Sequence, residues 1–252
     1  MKTTAILVLL LTLVPAAQGQ RLHAAASAKA KEPVDEVEQL LDRYMLAQGG
    51  LALFTIKTRI MRGRIELSES PIPGTFESYE KAPDKSMMVV NAPGGQFLAA
   101  KAGGRRWLQT PWGATWTGAA VGDVRLLEQA SKGKDFKWRN AFTSAKLKGR
   151  AMVNGYETIV LAATPRGGEP LVIYFDARTS LPRKVERVSP SPEEGEDYVR
   201  AAYFDNWATV DGVKVPVLIR QVYKSFTLTL RATEVRHNVN ISDVLFENPK
   251  EQ

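Results

Sequence analysis

The chain carries two histidines and no cysteine in 252 residues, and that inventory bounds its chemistry before any element is placed. Without cysteine there is no disulfide, no thiolate metal site, no thiol nucleophile and no acylated cysteine to serve as a lipid anchor. A hydroxyl nucleophile needs a base to take its proton. His23 lies in a polar leader. His237, in Glu234-Val235-Arg236-His237-Asn238, falls near a predicted strand end flanked by charges, where a histidine is exposed or satisfied rather than catalytic. The same scarcity leaves zinc and redox metals without a ligand set. Glycine pairs sit where hairpins turn, not in a Gly-x-Gly-x-x-Gly or Walker-type loop after a strand. Glu66, Glu77 and Glu80 lie on neighbouring predicted strands, and the wet face of a sheet accounts for them without a catalytic carboxylate pair. The acidic stretch at 189–196 reads as a solvated loop rather than a metal site. The expectation is no catalytic residue, no metal and no cofactor.

The charge balance is basic: 34 Lys plus Arg against 27 Asp plus Glu, a formal +7. Lys146, Lys148 and Arg150 alternate along one predicted strand, and Lys101, Arg105 and Arg106 surround a turn. Such stripes can bind nucleic acid. A solvated strand face with Ala145 and Leu147 turned inward explains the first stripe more simply, and an exported protein rarely meets nucleic acid.

Export is read from the first residues. Lys2 is a positive n-region, residues 5–14 are an apolar h-region, and Ala17-Gln18-Gly19 is a small-x-small cleavage site. We expect a signal peptide over 1–19, cleaved near Gly19, a flexible leader over 20–31, and one domain over 32–252. At 44% hydrophobic and 24% charged residues the mature chain can bury a core.

The elements follow from periodicity. A helix is predicted over 32–48: Pro33 suits its first turn, Asp35 and Glu36 complement its dipole, and Gly49-Gly50 stops it. Val37, Leu40, Leu41, Tyr44 and Met45 share one side, so the helix must cover something apolar. From Ile56 the period becomes two. Strands are predicted over 56–67, 74–82, 86–91, 96–102, 105–110, 145–153, 156–164, 170–176, 182–189, 197–209, 213–223 and 226–238, mostly in a meander. Gly103-Gly104, Asn154-Gly155 and Asp211-Gly212 supply hairpin turns. The meander breaks between 121 and 142, where one helix near 121–130 and a shorter one around Phe136, Trp138 and Phe142 are expected.

Several of these stretches together resemble a known family. Val37-Glu38-Gln39-Leu40-Leu41-Asp42-Arg43-Tyr44, ending in Gln48-Gly49-Gly50, is followed by Arg62-Gly63 in the first strand. Then come Gly74-Thr75-Phe76-Glu77 through Lys81-Ala82-Pro83-Asp84-Lys85, Tyr174-Phe175-Asp176 through Leu181-Pro182-Arg183-Lys184-Val185, and Phe204-Asp205-Asn206-Trp207 through Asp211-Gly212-Val213-Lys214-Val215-Pro216. The chain closes on Ile241-Ser242-Asp243-Val244-Leu245-Phe246-Glu247-Asn248-Pro249. In order and spacing this is similar to the exported bacterial proteins of the LolA/LolB-like outer-membrane lipoprotein-sorting superfamily. The resemblance implies an α+β fold, a strongly curved antiparallel sheet or incomplete β-barrel, apolar on its concave side and covered by helices. It implies a soluble periplasmic binding protein for an acyl chain, a lipoprotein or another apolar ligand, with a carrier role open to it. It also implies an arginine near the concave surface that helps to hold the lid, for which Arg59, Arg62 and Arg64 are candidates. The alternative is an envelope interaction or sensor module whose cavity is only packed core. An envelope protein partner, peripheral contact with the membrane and a monomeric state go with these readings.

Alternation then selects the concave-face candidates: Met61, Ile65, Leu67, Phe76, Met88, Val90, Phe97, Trp107, Ile159, Leu161, Val172, Tyr174, Tyr203, Val217, Ile219, Leu228 and Leu230. Each could touch ligand or simply fill the interior. Val37, Leu41 and Tyr44 are the candidate lid residues. Trp107, Trp112 and Trp116 form either a mobile aromatic rim or loop residues tucked over the sheet.

Overall fold

The computed structural model describes residues 35–69, 73–102, 105–111, 115–116, 142–166, 170–187, 201–223 and 226–247. Residues 1–34, with the expected signal peptide and leader, lie outside them, as do the predicted helix at 121–130, the Gly103-Gly104 turn and the acidic stretch at 189–196.

Helix α1 (Glu36–Gln48) begins where the Asp35 carboxylate accepts hydrogen bonds from the backbone N–H groups of Val37 and Glu38, at 3.1 and 3.3 Å. Asp35 is therefore the N-cap that defines the start, and not a residue of the first turn. The helix stops at Gly49, whose φ of 142° suits glycine, and a Cβ there would lie 2.7 Å from the carbonyl oxygen of Gly212. A 3-10 turn, Gly50–Thr55, then leads into the sheet.

The strands are β1 (Thr58–Leu67), β2 (Gly74–Lys81), β3 (Lys85–Ala92), β4 (Gly95–Ala102), β5 (Arg105–Gln109), β6 (Thr115–Trp116), β7 (Phe142–Val153), β8 (Tyr156–Pro165), β9 (Leu171–Asp176), β10 (Pro182–Arg187), β11 (Ala201–Val210), β12 (Val213–Val222) and β13 (Thr227–His237). Among the described residues all thirteen form one sheet in the order β6-β5-β4-β3-β2-β1-β13-β12-β11-β10-β9-β8-β7. Its pairs are antiparallel, and β6 and β7 are opposite edges, so the sheet is an incomplete barrel rather than a closed one. Two meanders run outward from the centre, and the first and last strands join them.

Most predicted strands stand within a few residues of their expected limits because turn chemistry punctuates them. Asn154 and Gly155, and likewise Asp211 and Gly212, take consecutive positive φ values of 49° and 82°, and 49° and 78°. Three differences have local causes. Phe142 is not in a short helix but opens β7, where it is buried in the core. β6 is too short to leave an alternating pattern. The two 3-10 turns, Gly50–Thr55 and Asp243–Phe246, have no periodic signature, and among the described residues they and α1 are the helical elements.

Apolar residues pack on both faces. The large cluster contains α1, Leu53, Met61, Ile65 and Phe76 from β1 and β2, and Leu161, Ile173, Phe175, Phe204, Val213, Val215, Leu228 and Leu230 from the other strands; this is the concave side. The smaller cluster joins Met87, Ala100 and Trp107 to Ile241 and Phe246 of the C-terminal tail, on the convex side of β3 to β5.

Candidate functional site

The concave face is built in cross-strand rows. One row is Met61, Ser78, Met88, Ala99 and Leu108; the next carries Phe76, Val90 and Phe97 opposite Gly63. Glycine is required at 63, because β13 bulges there and a Cβ would stand 1.9 Å from the carbonyl oxygen of Arg231. Ile65 pairs with Leu230, and Leu230 with Ile219. Of the expected concave residues, Met61, Ile65, Phe76, Leu161, Leu228 and Leu230 are buried in the large cluster, while Leu67, Met88, Val90, Ile159 and Ile219 are half-buried against it. Phe97 shares their face through its pairing with Val90, and Val217 shares the phase of Ile219.

Helix α1 packs over β7 and β12. Val37, Leu41 and Tyr44 are all buried there, with the Tyr44 ring 5.6 Å from that of Phe175. Burial is therefore graded. Beneath α1 the side chains are sealed, Leu41 at 1% exposure, whereas Met88, Val90 and Phe97 on β3 and β4 stay half-buried.

Four expected concave residues lie on the other face. Trp107 belongs to the convex cluster and donates its Nε1–H to the Phe246 carbonyl at 3.2 Å. Tyr174 and Val172 alternate with the buried Leu171, Ile173 and Phe175, so they point outward; Tyr203 pairs with Lys184 on that same outer face. Both phases of these strands are apolar, and alternation cannot choose between them. Trp112 lies outside the described residues, and of Trp116 only its backbone place in β6 is described.

One lip of the concave face is charged. In register, His237, Arg59, Glu80, Ser86 and Lys101 occupy one row over β13, β1, β2, β3 and β4, with Arg106 at the next position on β5. The Arg59 Nε–H donates to Nε2 of His237 at 3.1 Å. Arginine can only donate, so that nitrogen is an acceptor, and the ring proton belongs on Nδ1, which faces the Asp211 carboxylate at 3.3 Å. A second carboxylate, Glu80, stands 3.9 Å from the Arg59 guanidinium. Arg59 and Lys101 are buried, 6% and 7% exposed. Of the three candidate arginines, then, Arg59 alone lies on the concave side; Arg62 and Arg64 have the opposite phase. His237 is buried rather than exposed, its Nε2 accepting from Arg59.

No protein-family model and no curated protein matches the sequence. Solved structures do. A DUF1329 family protein from Desulfovibrio piger superposes with a TM-score of 0.57 at 18% identity, covering 87% of this chain and 100% of that one. A LolA superfamily protein from Nitrosomonas europaea gives 0.53 at 12% identity, covering 84% and 97%. The chain has the LolA-like fold. A Vibrio parahaemolyticus domain described as an outer membrane lipoprotein-sorting protein also gives 0.53, at 14% identity, over 86% and 97% of the two chains. At these identities the likeness speaks for the LolA-like architecture alone.

The convex face of the LolA-like sheet is stitched by ion pairs. Arg62 forks between Glu77 at 2.7 Å and Glu234 at 3.2 Å, and the Tyr79 hydroxyl donates to Glu77. That hydroxyl first, and Arg62 second, hold the Glu77 carboxyl below its usual range. Arg183 bridges Asp176 at 2.8 Å and Asp205 at 3.0 Å, its guanidinium 3.6 Å from the centre of the Tyr156 ring. Burial raises Asp176, but the backbone N–H of Thr179, the Arg183 guanidinium and the backbone N–H of Arg178 outweigh it and leave the group lowered. Burial, with Glu186 accepting its proton at 2.9 Å, pushes Tyr174 up to about 12. On edge strand β7, Lys146 and Lys148 are exposed, Arg150 pairs with Glu157 at 2.8 Å, and Ala145 and Leu147 pack inward. Lysines and two register shifts on an edge blunt it against further strand pairing. Among the described residues no group of three His, Asp or Glu side chains could hold a metal, and no helix is long and apolar enough to cross a membrane.

Proposed function

We propose that this protein is an exported, periplasmic binding protein for an acyl chain or other apolar ligand, with a carrier role, acting by desolvation rather than bond chemistry. The observation that carries the reading is the graded concave face: a continuous apolar surface that runs from fully buried beneath α1 to half-buried at Met88, Val90 and Phe97. The LolA-like architecture and the signal-like residues 1–19 support it. The ligand's apolar chain would lie along β1 to β4, with α1 closing the far side through Val37, Leu41 and Tyr44. Burying such a chain contributes about 0.8 kcal/mol per methylene.

The test is direct. Mass spectrometry of gently purified mature protein should find co-purified lipid, and an apolar fluorescent probe should bind stoichiometrically and be displaced by fatty acids. Protein that carries no lipid and binds no probe at any chain length would sink the proposal. The second reading, an envelope interaction module whose interior is only core, draws on the tight packing beneath α1, where Leu40 and Val213 are fully buried; it would then stand.

A further inference from the structure

We infer that one end of the sheet is a docking rim for the surface of a bilayer that contains anionic lipid; the inference goes beyond the ligand reading above and does not depend on it. Among the described residues five large apolar side chains are exposed: Leu46 at 75%, Leu51 at 77%, Met152 at 66%, Val244 at 60% and Tyr156 at 45%. Taken singly, an exposed apolar residue is ordinary. All five, however, lie at the same end of the strands.

The antiparallel register puts the start of β1, β3, β8, β10 and β12 and the finish of β2, β7, β9, β11 and β13 at that end. Leu46 and Leu51 flank the Gly49-Gly50 corner, which sits on the Asp211-Gly212 hairpin: a Cβ on Gly212 would lie 3.4 Å from that of Ala52. Met152 and Tyr156 flank the Asn154-Gly155 hairpin. Val244 follows Asp243, whose carboxylate is held at 2.8 and 3.0 Å by Lys81 and Lys85, the cross-strand pair that closes the turn between β2 and β3. The opposite end differs. There Phe142 and Tyr223 are buried, and Leu67 and Phe226 are half-buried against the core.

The spacing of these side chains selects the occupant. Between the Gly49-Gly50 corner and the Asn154-Gly155 hairpin stands the turn from β9 to β10, with Arg178 and Thr179 exposed; between that corner and Asp243 stand Lys57 and Asn238, also exposed. Apolar points divided by polar turns offer neither a continuous groove for a peptide nor the single broad patch of a stable subunit interface. A head-group layer accepts them, because each apolar side chain enters the acyl boundary while its polar neighbours stay hydrated. The charges add a sign. In these turns and strand ends Lys57, Arg178 and Lys214 have no ion-pair partner among the described residues; Asp84 is the carboxylate in the same position, Asp211 being turned to His237. With a formal +7 on the whole chain, the complement is an anionic surface.

The experiment is flotation of the purified mature protein with vesicles of phosphatidylcholine, alone or with phosphatidylglycerol at about a third of the lipid. The expected result is flotation with the mixed vesicles, weaker with the neutral ones and weakened by salt. Leu46→Ser combined with Leu51→Ser should weaken vesicle binding about tenfold or more, with the urea midpoint and the apolar-probe affinity of the wild type. Lys57→Gln combined with Lys214→Gln should weaken it about fivefold or more, on the mixed vesicles only. Because the chain has no cysteine, an environment-sensitive dye can be placed singly through Leu51→Cys, Met152→Cys or Val244→Cys, and through Gln96→Cys at the opposite end. Its emission should shift to the blue on vesicles at the first three positions and stay unchanged at the fourth. Flotation with neither vesicle would overturn the inference, and so would a dye shift at Gln96→Cys in place of the rim positions. A lipid-independent dimer that floats with no vesicle and dissociates in the double leucine variant would overturn it too, and would assign the rim to a second copy. Probe binding is read in the same samples, so the ligand reading stands or falls separately.

Discussion

The concave cluster beneath α1 and the convex cluster beneath the C-terminal tail share one sheet, yet they are sealed differently. The tail caps the middle of its cluster: Phe246 and Ile241 cover Met87, Ala100 and Trp107, Val89 and Leu98 stay half-buried beside them, and polar contacts fix the tail's course. The Thr58 hydroxyl donates to the Val239 carbonyl at 2.6 Å, Lys81 to that of Ile241 at 2.8 Å, and Asp243 sits between Lys81 and Lys85. Asp243 is more than half exposed, so those ion pairs contribute little energy and chiefly set register. The concave cluster is far larger, is covered by a helix rather than by a tail, and keeps half-buried members such as Met88, Val90, Ile159 and Ile219 around its buried centre.

Four measurements probe the two clusters and the ion pairs beside them. The largest effect is expected of Leu41→Asp, which puts a carboxylate at a sealed position and should lower stability by about 3 to 5 kcal/mol in urea unfolding; full stability with lost probe binding would instead make α1 a movable lid. Next, Phe246→Ala should cost about 3 kcal/mol through the cavity it leaves, with probe affinity unchanged, and a fall in affinity would show that the two faces are coupled. Val90→Asp, at the half-buried end, should cost only about 1 kcal/mol but weaken probe binding severalfold; a loss as large as that of Leu41→Asp would place Val90 in ordinary core. The smallest effect belongs to Asp176, outside both clusters. Its folded pKa lies below the unfolded value, so its contribution is complete above the ordinary carboxylate range and is lost as pH falls through the folded value. Acid titration of unfolding should show that limb in the wild type and a shallower one in Asp176→Asn.

The elements were legible because strand and turn chemistry are local. Asn154-Gly155 and Asp211-Gly212 announce their hairpins, and the apolar stripe of Val37, Leu40, Leu41, Tyr44 and Met45 announces α1. Phase was legible only where one face is polar. Along β1, Arg62, Arg64 and Glu66 mark the outer side and so identify Met61 and Ile65 as inner. Along β9 all of Leu171 to Phe175 is apolar or aromatic, so nothing in the pattern turns Tyr174 outward; β5 likewise offers nothing to orient Trp107, which the distant tail claims. The charged lip was hidden for a different reason. Its members come from five strands, and Arg59 meets His237 only because the two ends of the fold pair.

That pairing of β1 with β13 also determines when the protein can become itself. Each meander is made of neighbours in the chain and can zip up hairpin by hairpin, but the seam joins groups as far apart as Lys57 and Asn238, 181 positions distant. Contacts of such long separation are made late, after slow loop closure. The concave face, drawn from both meanders, is therefore completed only when the final strand docks. A chain still missing that strand would hold two half-sheets with open edges along β1 and β12, and the order of folding is imposed from the centre of the sheet rather than from its rims.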